Sequence, residues 1–158
     1  MTHLTLRTHR SADSSSTAEV ELVQPQLFHS SISVRFRVRG ASGAVAGLFT
    51  YMNDENESDI EILTRDAPDR IRYTNQVSKD VHGRMAEGAA SEASLPRGVV
   101  WTEWNTHRMD WTPGLSAWYV NDLFVVDTST GVPQLPSHLI LNIVSFLLHL
   151  RFITFVSI

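Results

Sequence analysis

Asn56-Glu57-Ser58-Asp59-Ile60-Glu61-Ile62-Leu63 carries an acidic residue at every second position from Glu57 to Glu61. A β-strand turns successive side chains to opposite faces. A strand here therefore sets Glu57, Asp59 and Glu61 on one face, and Ser58, Ile60 and Ile62 on the other, with the two isoleucines entering a core. Strands are depleted in Asp and Glu, and like charges on one face repel. Paired carboxylates in such a place suit acid/base and nucleophilic work on a glycosidic bond. Positions i and i+4 lie about 13 Å apart along a strand, at about 3.3 Å per residue. Side chains leaning together over a twisted strand shorten that separation. The result is compatible with the about 5–5.5 Å of a retaining glycosidase, where an inverting one needs roughly 6.5–9.5 Å. Asp59 between the two couples to both and helps hold one of them protonated. A solvated acidic edge strand, charged against aggregation, has the same pattern.

Working outward, most of the chain reads as strand. Residues 32–38 alternate apolar residues with Arg35 and Arg37. Residues 44–52 are apolar and aromatic, and Asn53, Asp54 and Asn56 follow as turn formers. Residues 69–77 hold Ile71, Tyr73 and Asn75 in alternation. Residues 78–97 are small and polar, which predicts a long surface loop or a weak strand. In residues 106–111, His107, Met109 and Trp111 share one face. Pro113-Gly114 predicts a turn, and residues 116–120 and 123–127 pair as a hairpin across Asn121-Asp122. One more apolar strand covers residues 139–143. No amphipathic helix and no internal repeat emerge. The spacing predicts an all-β fold, an antiparallel sandwich.

The composition excludes several classes. The 158 residues fit one domain with a core of its own. Lys and Arg number 13 against 17 Asp and Glu, a net charge of -4, so nucleic acid is not an expected partner. There is no cysteine, hence no disulfide and no thiolate site. The seven histidines show no metal-ligand spacing, and neither metal nor cofactor is expected. Residues 1–17 are polar and Ser/Thr-rich, unlike a secretory signal peptide, and read as a segment outside the domain. Residues 139–158 are long enough for a tail anchor, but His149 and Arg151 near the middle argue against a membrane span.

Several segments together resemble glycoside hydrolase family 16, the jelly-roll β-glucanases of concanavalin A-like fold, in their fungal branch. They are Gly43-Ala44-Val45-Ala46-Gly47-Leu48-Phe49-Thr50-Tyr51, Glu57-Ser58-Asp59-Ile60-Glu61-Ile62-Leu63 and Tyr73-Thr74-Asn75-Gln76. Further on come Trp104 to Gly114, Trp118-Tyr119-Val120-Asn121 and Leu139-Ile140-Leu141-Asn142. A lone Glu-x-Asp-x-Glu is weak; six segments in family order, over residues 18–143, are specific. The resemblance implies an endo-acting, retaining hydrolase of β-linked glucan (β-1,3 or mixed β-1,3-1,4), with transglycosylases among its relatives. Carried over by position, Glu57 is the nucleophile, Glu61 the acid and then the base, and Asp59 tunes their protonation. It further implies an extracellular or cell-wall setting, a glucan partner and a monomer.

Around the acidic triplet, Tyr73 and Asn75 are read as lining the glucan cleft, with cross-strand pairing as the plainer role. Trp104 and Trp111 are candidate sugar platforms, Trp118 is assigned to the core, and His107 is structural. The Asn56-Glu57-Ser58 sequon is read as chance, because a glycan there would block the cleft. The resemblance stops after Asn142. Residues 144–158 match nothing in the family and read as an aberrant apolar tail, so a truncated gene product with an incomplete sandwich is expected. The alternatives are a non-catalytic, lectin-like glucan binder, which has no need of three crowded carboxylates, and an inactive fragment.

Overall fold

The computed structural model describes residues 3–23, 26–76, 78–79, 82–84 and 86–145. They form ten strands: β1 (Ala18–Glu21), β2 (Ser31–Phe36), β3 (Ala44–Asn53), β4 (Asn56–Leu63), β5 (Arg70–Gln76), β6 (Ala90–Ser94), β7 (Asn105–Thr112), β8 (Leu115–Val120), β9 (Leu123–Thr128) and β10 (His138–Ser145). One sheet has six strands in the order β1-β10-β3-β4-β5-β6, and the other has four in the order β2-β7-β8-β9. Every pairing is antiparallel. The fold is the all-β antiparallel sandwich that the alternation predicts, in the jelly-roll form that the resemblance implies.

The core lies between the sheets and follows from period two. Ile60 and Ile62 of β4, Ile71 and Tyr73 of β5, and Leu139, Leu141 and Ile143 of β10 face it from one sheet. Ile32, Val34 and Phe36 of β2, Met109 of β7, and Trp118 and Val120 of β8 face it from the other. Trp118, 1% exposed, packs against Tyr73 across the interior with ring centroids 5.4 Å apart. His107 is fully buried and stacks on Phe36 at 4.2 Å, and burial pushes its pKa down to about 3, so it stays neutral. It is a core residue, as expected.

Turn chemistry closes one hairpin in each sheet. Between β3 and β4 the side chain of Asn53 accepts hydrogen bonds from the Glu55 amide and the Asn56 side chain, which closes the hairpin. Between β8 and β9, Asn121 and Asp122 have φ of 51° and 64°, the left-handed pair that a two-residue hairpin loop demands.

Two boundaries differ from the sequence expectation, and the weak strand expected within 78–97 is present. Residues 1–17 were expected outside the sandwich, yet Leu6 joins its core and Thr8 is 2% exposed. A short apolar residue among polar ones gives too weak a period to be read. The stretch 78–97 yields a strand of five residues, β6, whose small side chains pack little. The final strand runs two residues past Ile143, with Val144 opposite Val45 and Ser145 opposite Ala44, so the expected tail begins inside β10. The rest of that tail, 146–158, lies outside the described residues. No helix among the described residues is long and apolar enough to cross a membrane.

Candidate active site

Strand β4 lies in the middle of the six-stranded sheet, paired with β3 on one side and β5 on the other. An edge strand charged against aggregation is thereby excluded. The alternation is as read: Ser58, Ile60 and Ile62 are 1% exposed or less and point inward, while Glu57, Asp59 and Glu61 share the outward face of the sheet. Directly opposite residues of antiparallel strands lie on one face, so the register names the neighbours. Across β3, Tyr51 faces Glu57, Phe49 faces Asp59 and Gly47 faces Glu61. Across β5, Gln76 faces Glu57, Thr74 faces Asp59 and Arg72 faces Glu61. One strand further, β10 sets His138 beside Tyr51, Ile140 beside Phe49 and Asn142 beside Gly47.

Gly47 keeps this face open next to Glu61. A Cβ there would stand 2.8 Å from the Asn142 side-chain oxygen and 3.3 Å from the Phe49 ring. At the hairpin end the Tyr51 hydroxyl donates to Asp54 at 3.0 Å. Asn56, whose side chain accepts from the Gln134 amide at 2.8 Å, is buried, so the sequon is not available as a glycan acceptor.

The three carboxyls differ in how readily they hold a proton. Asp59 is the most buried, and desolvation, followed by the charge of Glu57, pushes its pKa up to about 9. It is therefore protonated at neutral pH and donates a hydrogen bond to Glu57. Burial raises Glu57 as well, but this bond from Asp59 opposes the rise and favours its ionised form. Burial also raises Glu61, and Arg72 opposite it pulls the other way. Gln76 assists from β5. Its side-chain oxygen accepts from both the Ser78 amide and hydroxyl, which leaves its NH2 to donate to Asp59. Environment alone sets the three carboxyls apart: Asp59 is pushed furthest up, while Glu57 and Glu61 are each raised by burial and opposed by one specific partner.

The other sequence candidates sit elsewhere. Tyr73 and Asn75 were expected to line the cleft, but they pair with Ile60 and Ser58 and so face the interior, 1% and 0% exposed. Asn75 accepts from the Ser58 hydroxyl at 2.7 Å and donates to Ser116 at 3.2 Å and to the Thr130 carbonyl at 3.1 Å, which ties the two sheets together. Trp104 lies against Arg35, on the outer face of the four-stranded sheet, and against Arg37 just past the end of β2, away from the acidic strand. Trp111 is 1% exposed, with its indole N–H donating to the Pro133 carbonyl at 3.0 Å, and is core rather than platform. The residues that do share the acidic face from β5 are Arg72, Thr74 and Gln76. Ile71 was the available signal: it has the parity of Tyr73 and Asn75, and an isoleucine in a strand marks the inward face. Among the described residues no group of three His, Asp or Glu side chains is arranged to hold a metal ion.

Comparison with known proteins agrees with this fold. A beta-glucanase of Paenibacillus polymyxa is 28% identical over 110 residues, covering 65% of this chain and 42% of its own length. The chain thus spans about two fifths of that relative. Among solved structures, a Bacillus licheniformis beta-glucanase superposes with a TM-score of 0.77 at 20% identity, over 97% of this chain and 75% of the other. A prokaryotic beta-1,3-1,4-glucanase (lichenase) derived from a mouse hindgut metagenome gives 0.76 at 18% identity, over 97% and 76%. At such identities the likeness is one of fold. The pattern of Glycosyl hydrolases family 16, by contrast, runs through residues 2–145, nearly all that the structure describes, and by that match the chain belongs to this family.

Proposed function

We propose that the outward face of β4 cleaves β-linked glucan internally and with retention of anomeric configuration. The observation that carries the reading is the shared face of Glu57, Asp59 and Glu61, with Asp59 protonated and bonded to Glu57. In the first step the Glu57 carboxylate attacks the anomeric carbon while the bond to the leaving oxygen breaks, and that oxygen takes the proton of Glu61. In the second, Glu61, now ionised, takes a proton from water, the water oxygen bonds to the anomeric carbon, and Glu57 leaves. Two bonds form and two break in each half, and the net change is one glycosidic bond exchanged for one water. Asp59 stays protonated throughout and keeps Glu57 from capturing the proton that belongs to Glu61.

The substrate class follows from relatives named for β-glucan and from the carboxyls lying along one sheet face. A polymer of this kind is met outside the cell or in its wall, and we place the activity there, with the fungal branch and a monomer as parts of the same proposal. The test is release of reducing sugar from laminarin and barley β-glucan by the purified chain and by a Glu57→Gln variant. Release that falls by a factor on the order of 10³ in the variant is expected, because both steps pass through Glu57. Binding of glucan by a folded chain with no release would instead establish the non-catalytic, lectin-like reading.

A further inference from the structure

Glu61 has to do two opposite things in the proposed cycle: surrender a proton and then accept one. Burial alone favours only the protonated form. Its register partner supplies the counterweight. Arg72 stands directly opposite Glu61 on β5, and its guanidinium is gripped from two sides. Nε and Nη2 donate to Asp66 Oδ2 at 3.1 and 2.9 Å, and Nη2 lies 3.1 Å from Glu92 Oε2. Asp66 is itself fixed in the turn that follows β4, where its amide donates to the Leu63 carbonyl at 2.9 Å. Glu92 is the β6 register partner of Arg72. A lone arginine on an open sheet face would swing into water. This one is held by anchors on the turn before its own strand and on the strand beyond it.

We propose that Arg72 is a positioning residue for Glu61: clamped by Asp66 and Glu92, it forms a fixed cation that holds the Glu61 carboxyl on the acidic face and eases loss of its proton. The charged groups around Glu61 are few. Its own strand contributes Asp59, which is neutral, and Glu57, whose negative charge favours the protonated form of Glu61, while β3 sets Gly47 opposite it. On β5, Arg70 lies one register step beyond Arg72, beside Ser94 of β6. The turn holds Arg65 and Asp66, and the far strands contribute Glu92 and, beyond uncharged Asn142, Glu19. Of these, Arg72 is the cation that stands opposite Glu61 in register and pulls its carboxyl towards the ionised form, and the Asp66 and Glu92 charges are spent on Arg72. The role deepens the proposed chemistry and rests on Glu61 as its acid/base.

The test separates the two claims. Glu61 is titrated by carbon NMR of 13C-labelled glutamate carboxyls, assigned with Glu61→Gln, in the parent chain and in Arg72→Gln, Arg72→Met and Arg72→Lys. The methionine variant keeps the apolar stem over the sheet and serves if the glutamine variant does not fold. The expected result is an upward shift of the Glu61 titration in both uncharged variants, partly reversed in Arg72→Lys. The alkaline limb of the pH–rate profile on barley β-glucan moves with it. The plateau rate changes by less than about tenfold, against the hundredfold or more expected on losing a general acid in Glu61→Gln. A Glu61 titration that stays put in a folded uncharged variant would overturn the assignment. A titration that shifts in a chain without glucanase activity would support Arg72 and sink the proposed function instead.

Discussion

Asp59 makes the crowding of three carboxyls on one strand tolerable by keeping its proton. Between its ordinary 3.8 and about 9, the folded chain holds a proton that the unfolded chain releases, so stability falls as pH rises across that window. Asp59→Asn keeps a neutral group there and removes the titration. Its melting temperature is expected to fall less steeply than the parent's between about pH 5 and about pH 9. Parallel profiles in scanning fluorimetry would mean that Asp59 is not the group responsible. Tyr73 and Asn75 test the inward face of the same sheet. The Tyr73 hydroxyl is buried with no hydrogen-bond partner among the described residues, so Tyr73→Phe should leave stability equal or raise it by about 1 kcal/mol, with glucan turnover unchanged. A tenfold loss of turnover would return Tyr73 to the cleft. Asn75→Ala strands the Ser58 and Ser116 hydroxyls and should cost about 2–4 kcal/mol in chemical denaturation.

At the scale of the strand, β4 was legible because two periods coincide on it, acid on one face and isoleucine on the other. The parity of β5 was misread because Tyr73 and Asn75 are polar-tipped residues that also suit a sugar cleft. Burial of Tyr73 against Trp118, and of Asn75 as a bridge between sheets, depends on partners more than 40 residues away in sequence. The hairpins were legible for the opposite reason, since their chemistry is local. Asn121-Asp122 requires left-handed backbone, so glycine should serve at least as well there as aspartate, and alanine worse. Asp122→Gly is expected to stabilise by about 0.5 kcal/mol and Asp122→Ala to destabilise by about 1 kcal/mol. The exposed ion pair of Asp122 with Arg108 is worth too little to reverse that order. Equal stabilities of the two variants would contradict the turn assignment.

Over the whole molecule, the sandwich was legible from strand spacing, and so was the core place of Trp118, whereas Trp104 and Trp111 were not, because one indole serves equally well as core or as sugar platform. Trp111 and Trp118 proved to be core, and Trp104 sits under Arg35 of the other sheet and Arg37 just beyond it. Trp118 bridges the two sheets, and Trp118→Ala should cost about 3–5 kcal/mol. The contribution of His107 has the opposite pH sign to that of Asp59. Its pKa is lowered to about 3 from 6.5, so its stability is intact above 6.5 and is lost as pH falls through that interval. The fold is therefore squeezed from both sides, by His107 as pH falls from 6.5 towards about 3 and by Asp59 as pH rises from 3.8 towards about 9. The central claim, that Glu57 attacks the sugar, is tested most directly by trapping the covalent intermediate. The Glu61→Gln chain is incubated with a 2-deoxy-2-fluoro-β-glucoside bearing an activated leaving group, digested, and read by mass spectrometry. A fluoroglucosyl increment on Glu57 is the predicted result. An increment on any other residue, or none from a chain whose Glu61-containing parent hydrolyses glucan, would contradict it.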